Sequence, residues 1–183
     1  MRGLLKKLLN FIQGEQDLDK LLKRGLSVGS NFKRMGGVII DPSHCWHVKI
    51  GNNVTLAPRV HIIAHDASTK TFLNYTKVEN VVIGDNVFIG AGTIVLPGVR
   101  IGNNVIIGAG SVVSRSIPDN VVAIGCPAKV VKSIDEFLAE ERQLMNSENV
   151  FDENYTLRNV HFGSVERQAM MDACEKHGQV FVE

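Results

Sequence analysis

Disulfide chemistry is the first thing this chain is short of. Its 183 residues carry three cysteines, Cys45, Cys126 and Cys174, and no CxxC pair. That supports no disulfide framework and suits a reducing, cytoplasmic compartment. Aromatic residues are scarce at 6%, and Lys plus Arg (20) barely exceed Asp plus Glu (19). There is no aromatic platform, no Arg-rich stripe and no global field to draw in a nucleic acid. Long apolar runs are missing too. The leading segment is leucine-rich but too short and too interrupted to span a bilayer, and it shows no signal-peptide cleavage pattern. The charged fraction of 21% and hydrophobic fraction of 44% are those of an ordinary globular protein. The length allows one core with appendages.

What the chain does have is a repeat. From Ile83 to Pro118 it reads, in sixes, IGDNVF, IGAGTI, VLPGVR, IGNNVI, IGAGSV, VSRSIP. An aliphatic residue opens each unit (Ile83, Ile89, Val95, Ile101, Ile107, Val113), and a small or β-branched residue takes each fifth place (Val87, Thr93, Val99, Val105, Ser111, Ile117). Each fifth residue stands two before the next opening residue, so the pair shares one face of a short strand. Between them lie Gly-Asp-Asn, Gly-Ala-Gly or Gly-Asn-Asn, which tolerate positive φ and turn the chain cheaply. Strand and corner in alternation coil the chain into an aliphatic-lined tube, a parallel β-helix.

The same count places one outward residue between each inward pair. The pattern resembles hexapeptide-repeat proteins, in which about three hexads make one turn; that resemblance implies that Phe88 stacks with Ile106, Ile94 with Val112 and Val82 with Arg100. Two of the three outer faces are then apolar, which marks them as surfaces for self-association.

The repeat begins imperfectly from Leu26, runs cleanly through Ile50-GNNVT and Leu56-APRVH, and breaks after Ile62. His65 stands at the corner where it breaks. Asp66 to Asn80 has no hexad pattern, and a polar insertion of this kind in a solenoid belongs on a binding face.

Continued by Ile124-Gly-Cys-Pro-Ala-Lys129 and preceded by Ala64-His65-Asp66, this pattern resembles the hexapeptide-repeat acyltransferases. It is nearest to the O-acetyltransferases of the maltose, galactoside and surface-polysaccharide type, and the resemblance covers roughly Leu26 to Lys132. It implies an all-β, left-handed parallel β-helix working as a homotrimer. It also implies acetyl-CoA as co-substrate, no required metal, and a hydroxyl of a sugar or glycan precursor as acceptor. His65 would be the general base that takes the hydroxyl proton during attack on the thioester. Imidazole suits this work because it titrates near working pH.

By the same resemblance, Ala91 and Ala109 are corner residues whose backbone meets the pantetheine arm. Ser114 and Arg115 match a Thr-Lys pair, and Lys129 and Lys132 match two basic residues that would meet CoA phosphates. Asp41 and Asp66 are the acceptor-binding candidates. For Asp41 the alternative is a turn cap. Asp66 is expected to point away from His65, leaving a backbone carbonyl to orient the ring.

Domain boundaries are expected at 1–25 for an amphipathic helix, 26–132 for the β-helix with its loop at 66–81, and 133–183 for a helical tail. Membrane contact would come only through the leading helix, whose simpler role is packing on the coil end or on a neighbouring subunit. The tail is expected to contain helices at 135–145 and 164–177, the second closed by Gly178, then a terminal strand or packed tail at 180–182, and to cover the end of the coil. Other functions on the same repeat are an antibiotic or amino-acid O-acetyltransferase, a non-catalytic assembly module, or a zinc γ-type carbonic anhydrase. His44, His47, His61 and His65 invite the last comparison, but their spacing lacks that family's ligand pattern. His44, His47 and His61 are read as interface or acceptor-cleft residues, and His161 and His177 as tail surface.

Overall fold

The structure, a computed structural model, describes residues 16–183. Leu4, Leu5, Leu8, Leu9 and Ile12, which carry most of the expected leading helix, lie outside the described residues. The chain divides into two compact units, the first reaching Ile134 and the second running Asp135–Glu183.

In the first unit the strands come in successive sets of three. They are β1 (Ser27–Val28), β2 (Lys33–Arg34) and β3 (Ile39–Ile40), then β4 (Val48–Ile50), β5 (Thr55–Leu56) and β6 (His61–Ile62). A hairpin, β7 (His65–Asp66) with β8 (Lys77–Val78), interrupts the series. It resumes with β9 (Val81–Ile83), β10 (Val87–Ile89) and β11 (Ile94–Val95), then β12 (Arg100–Ile101), β13 (Val105–Ile107) and β14 (Val112–Val113). Every third strand pairs in parallel with its predecessor, giving the sheets β1-β4-β9-β12, β2-β5-β10-β13 and β3-β6-β11-β14. The chain therefore coils around three faces, a parallel β-helix.

The interior follows the hexads. All twelve opening and fifth residues between Ile83 and Ile117 are buried, none more than 6% exposed. Burying a Val or Ile side chain contributes roughly 1.5–3 kcal/mol, and no single coil can do it without its neighbours. The two interior hydroxyls are satisfied: Thr93 Oγ1 and Ser111 Oγ both donate to the Gly108 carbonyl, at 3.1 and 2.7 Å. The outward stacks are also those read from the sequence, with Phe88 beside Ile106, Ile94 beside Val112 and Val82 beside Arg100.

The corners explain the Gly and Asn content. At the first corner Asn31, Asn53, Asn86, Asn104 and Asn120 all take positive φ, between 52° and 60°. Their side chains form a continuous ladder along the coil, each Nδ2 donating to the next Oδ1 at 2.8–3.0 Å. Two residues earlier, a Cβ on Gly51 would meet the Gly84 carbonyl oxygen at 2.6 Å, so only glycine permits this stacking.

The unit closes at both ends. Helix α1 (Leu18–Lys23), capped by Asp17, buries Leu21 against the first coil. The Gln16 side chain bonds both the N–H and the C=O of Ile40, at 2.7 and 2.9 Å, as a neighbouring strand would. At the other end β15 (Val121–Ile124) joins β13 in parallel, and β16 (Lys129–Ser133) folds back antiparallel on β15.

The second unit carries α3 (Ile134–Leu144), which begins at its boundary, and α4 (Ser164–His177). The latter ends at Gly178, whose φ is 79° and whose N–H donates to the Cys174 carbonyl. It also contains a two-stranded parallel sheet, β17 (Val150–Phe151) with β18 (Phe181–Val182). The strand at 150–151 lies in the connection between the two helices, and a two-residue strand is too short to leave a periodic signal.

Candidate active site

The coils are not equally long. Outward positions repeat every 18 residues from Phe88 to Ile106, every 22 from Lys33 to Thr55, and every 33 from Lys49 to Val82. The extra residues leave at one corner, between the third face and the first. The four extra residues sit between β3 and β4, and the fifteen between β6 and β9. Two insertions therefore lie one coil apart on one edge of the prism, and the site is built from them.

The longer insertion holds His65. The residue opens the β7–β8 hairpin, paired with Val78, and the hairpin is tied back to the coil by the Glu79 N–H donating to the Ala64 carbonyl at 2.9 Å. A single turn, α2 (Lys70–Leu73), sits at its tip and ends at Asn74 in the left-handed region. The shorter insertion holds Asp41, whose N–H bonds the Ile62 carbonyl and so continues the third sheet by one residue. That register brings the two side chains together. His65 Nδ1 lies 2.5 Å from Asp41 Oδ2.

Asp41 is 2% exposed, and both of its oxygens are occupied by protein donors. Oδ2 also accepts from the Ala64 N–H at 2.9 Å, and Oδ1 accepts from Ser43 and His44 N–H at 3.0 and 2.9 Å. Burial pushes this carboxyl up. The His65 hydrogen bond and the three backbone N–H groups outweigh it and hold the pKa below the ordinary carboxylate value. An ionised carboxylate only accepts, so Nδ1 of His65 carries a proton, and in the neutral ring Nε2 keeps its lone pair. The ring is half-buried. Asp41 thus meets the imidazole at the position where a backbone carbonyl was expected.

Asp66 points away from this pair. It bonds the Ser68 N–H at 2.8 Å and Lys77 across the hairpin at 3.0 Å, which lowers its pKa to about 2. An exposed pair of this kind contributes little to stability. Around the dyad stand residues that the sequence reading treated only as a group. The His44 ring lies 5.0 Å from His65 and 5.4 Å from Trp46, centroid to centroid. His47 pairs with Asn80 at 2.8 Å, tying one insertion to the other. Cys45, fully buried, anchors the turn from which half-exposed Trp46 projects. His61 is elsewhere, on the outer third face between Ile39 and Ile94.

The remaining candidates fall into other places. Ala91 and Ala109 stack at the second corner, where the Gly110 N–H donates to the Ala91 carbonyl at 2.8 Å. Ser114 and Arg115 follow β14 at the same corner as His65, two coils further on. Lys129 and Lys132 lie on β16, Lys129 exposed and Lys132 half-buried. Within one copy His65 and the two alanines therefore flank opposite edges of the third face.

Residues 80–115 match the family described as bacterial transferase hexapeptide (six repeats). Protein CapG of Staphylococcus aureus is 39% identical over 166 residues, covering 86% of this chain and 94% of that protein. The crystal structure of a maltose O-acetyltransferase from Clostridium difficile 630 superposes with a TM-score of 0.54 at 32% identity, over 72% of this chain and 85% of that one. A hexapeptide-repeat acetyltransferase from Vibrio cholerae O1 biovar eltor, complexed with acetyl coenzyme A, gives 0.52 at 25% identity, over 58% of each chain. Among the described residues no helix is long and apolar enough to cross a membrane. Repeat, coil and relatives agree: the chain belongs to the hexapeptide-repeat acyltransferase family.

Proposed function

We propose that this protein transfers an acetyl group from acetyl-CoA to a hydroxyl of a sugar or surface-polysaccharide precursor, with His65 as general base. The observation that carries the reading is the Asp41 carboxylate on Nδ1 of His65, which leaves Nε2 to accept a proton. The maltose O-acetyltransferase and the acetyl-CoA complex among its relatives support the donor and the acceptor class.

In this mechanism Nε2 takes the proton of the acceptor hydroxyl as its oxygen attacks the thioester carbonyl. The tetrahedral intermediate collapses with cleavage of the C–S bond, and the same proton passes to the departing thiolate. Asp41 steadies the imidazolium formed between the two steps. No acyl-enzyme is needed, since holding both substrates in one cleft supplies the proximity.

Ala91 and Ala109 would receive the pantetheine arm through their backbone, and Ser114 and Arg115, at the opposite edge of the third face with His65, would meet it from the neighbouring copy. Lys129 and Lys132 would meet the phosphates. Because the alanines and His65 flank opposite edges of one face, we place the CoA cleft between copies, in a homotrimer of left-handed coils. Phe88 and Ile106 on one face, and Ile94 and Val112 on another, supply the apolar surface such an assembly would cover. Acetyl-CoA and the unpaired thiols suit a cytoplasmic setting.

The test is thiol release from acetyl-CoA across a panel of pyranosides. His65→Ala should lower turnover by about 10²- to 10⁴-fold, the usual contribution of a general base, while CoA still binds. Unchanged turnover would remove His65 from the mechanism.

A further inference from the structure

We propose that Asp41, His44 and His65 form a binding site for a divalent transition-metal ion of the Zn²⁺ class, and that occupation of this site switches the catalytic imidazole off. The binding half stands on geometry alone; the switch rests on the acyl-transfer reading above.

One donor atom from each of the three residues lies within 4.8 Å of the other two. His44 Nδ1 is 3.9 Å from Asp41 Oδ1, and His65 Nδ1 is 2.5 Å from Asp41 Oδ2. His44 Nδ1 is also buried with no hydrogen-bond partner among the described residues. A buried polar atom without a partner calls for an explanation, and an ion at this point supplies one. The His44 ring is held where it is: its backbone N–H is on Asp41, Trp46 lies against it, and His47 stands 6.4 Å away, centroid to centroid.

A tetrahedral Zn²⁺ with bonds of about 2.0–2.2 Å sets its donors roughly 3.4 Å apart. The His44 Nδ1–Oδ1 gap of 3.9 Å is about half an ångström longer than this and the His65 Nδ1–Oδ2 gap of 2.5 Å about one shorter; they end on different Asp41 oxygens, so the carboxylate turns to give the ion one of them. Two imidazole nitrogens and one carboxylate favour zinc, copper, cobalt or nickel over magnesium or calcium. Three protein ligands leave a fourth position for water.

The consequence follows from imidazole chemistry. In the metal-free dyad the proton sits on Nδ1 of His65, and Nε2 accepts. A cation takes the place of that proton on Nδ1, and the neutral ring then carries its single proton on Nε2. Nε2 becomes a donor and cannot receive a proton from a hydroxyl. The ion inverts the tautomer on which the proposed mechanism depends.

The experiment titrates chelator-treated full-length protein with Zn²⁺ by calorimetry and with Co²⁺ by visible absorption. Histidine ¹⁵N spectra are recorded before and after addition. The expected result is one tight equivalent per chain and cobalt d–d bands. No thiolate charge-transfer band should appear, which separates this site from the exposed thiols of Cys126 and Cys174. His44→Gln should weaken binding at least tenfold while the fold, followed by circular dichroism, is kept. His65 Nε2 should pass from a lone-pair to an N–H signal as metal is added.

No tight equivalent, or binding undiminished in His44→Gln, overturns the site. Binding that leaves Nε2 unprotonated overturns the switch. If metal binds and inverts the tautomer but metal-free protein releases no thiol with any acceptor, the acyl-transfer reading fails and the metal site stands.

Discussion

Asp41 and His65, 24 residues apart, meet at 2.5 Å because two insertions of different length leave the coil at the same corner. The carboxylate is sealed from solvent and takes four hydrogen bonds, three of them from backbone N–H groups. The imidazole is half-exposed. The pair is therefore a fixed acceptor holding a ring whose far nitrogen is free to work.

Asp41→Asn should lower turnover by up to about 10⁴-fold, because an amide NH₂ facing Nδ1 favours the wrong tautomer. The KM for acetyl-CoA should stay close to its original value, which marks Asp41 as a positioning residue. The same substitution opposes an NH₂ to the Ala64 N–H and should cost about 1–3 kcal/mol. Because the folded-state pKa of Asp41 is lowered, its contribution is complete above the ordinary value of 3.8 and is lost as pH falls through the lowered one. Denaturant melts from about pH 7 to pH 3 should thus show the wild-type advantage over Asp41→Asn shrinking only on the acid side. An advantage independent of pH would contradict this.

Phe88 and Ile106 stack on the outer second face, with Phe88 45% exposed. Replacing both with Asp should reduce the proposed trimer to single chains in sedimentation and abolish thiol release, since the proposed cleft lies between copies. An active monomer would break the link between assembly and activity.

Asn86 has a φ of 56° and stands in the middle of the amide ladder, bonded to Asn53 and Asn104. Asn86→Ala should destabilise the fold by about 1–2 kcal/mol through left-handed backbone strain, with the lost ladder bonds added. Asn86→Gly should recover the backbone share and leave only the ladder loss. Urea unfolding midpoints ordered wild type, Gly, Ala would bear this out.

Lys129, exposed on β16, is proposed to meet the CoA phosphates. Lys129→Glu should raise the KM for acetyl-CoA several-fold, more at low salt than at high, because a solvent-facing charge acts through a screened field. A pantetheine thioester lacking the nucleotide should be handled equally by both forms.

The regular part of the coil was legible because hexads leave nothing to tertiary context. Ile83, Val87 and their successors point inward by spacing, and the Phe88–Ile106 register follows once the family resemblance supplies three hexads per turn. His65 was legible as the residue at which the pattern fails. Its partner was not. The first coil is degenerate and four residues longer than the later ones, so counting in eighteens does not bring Asp41 near His65; the true offset of 22 sets Asp41 opposite Ile63, two residues before His65. The reversal of the chain into β16 was hidden for another reason. Ile124 to Lys129 continues the family-like wording, while Gly125, with a φ of 101°, turns the strand back on itself.

The shared exit of the two insertions has a consequence for how this scaffold tolerates change. Strands on the second face keep their stacking whether 18, 22 or 33 residues separate one layer from the next. Added length is shed at one vertical edge, and the rest of the prism does not feel it. The edge that bears the imidazole can therefore be lengthened, shortened or re-lettered, while the aliphatic interior and the asparagine column continue unaltered.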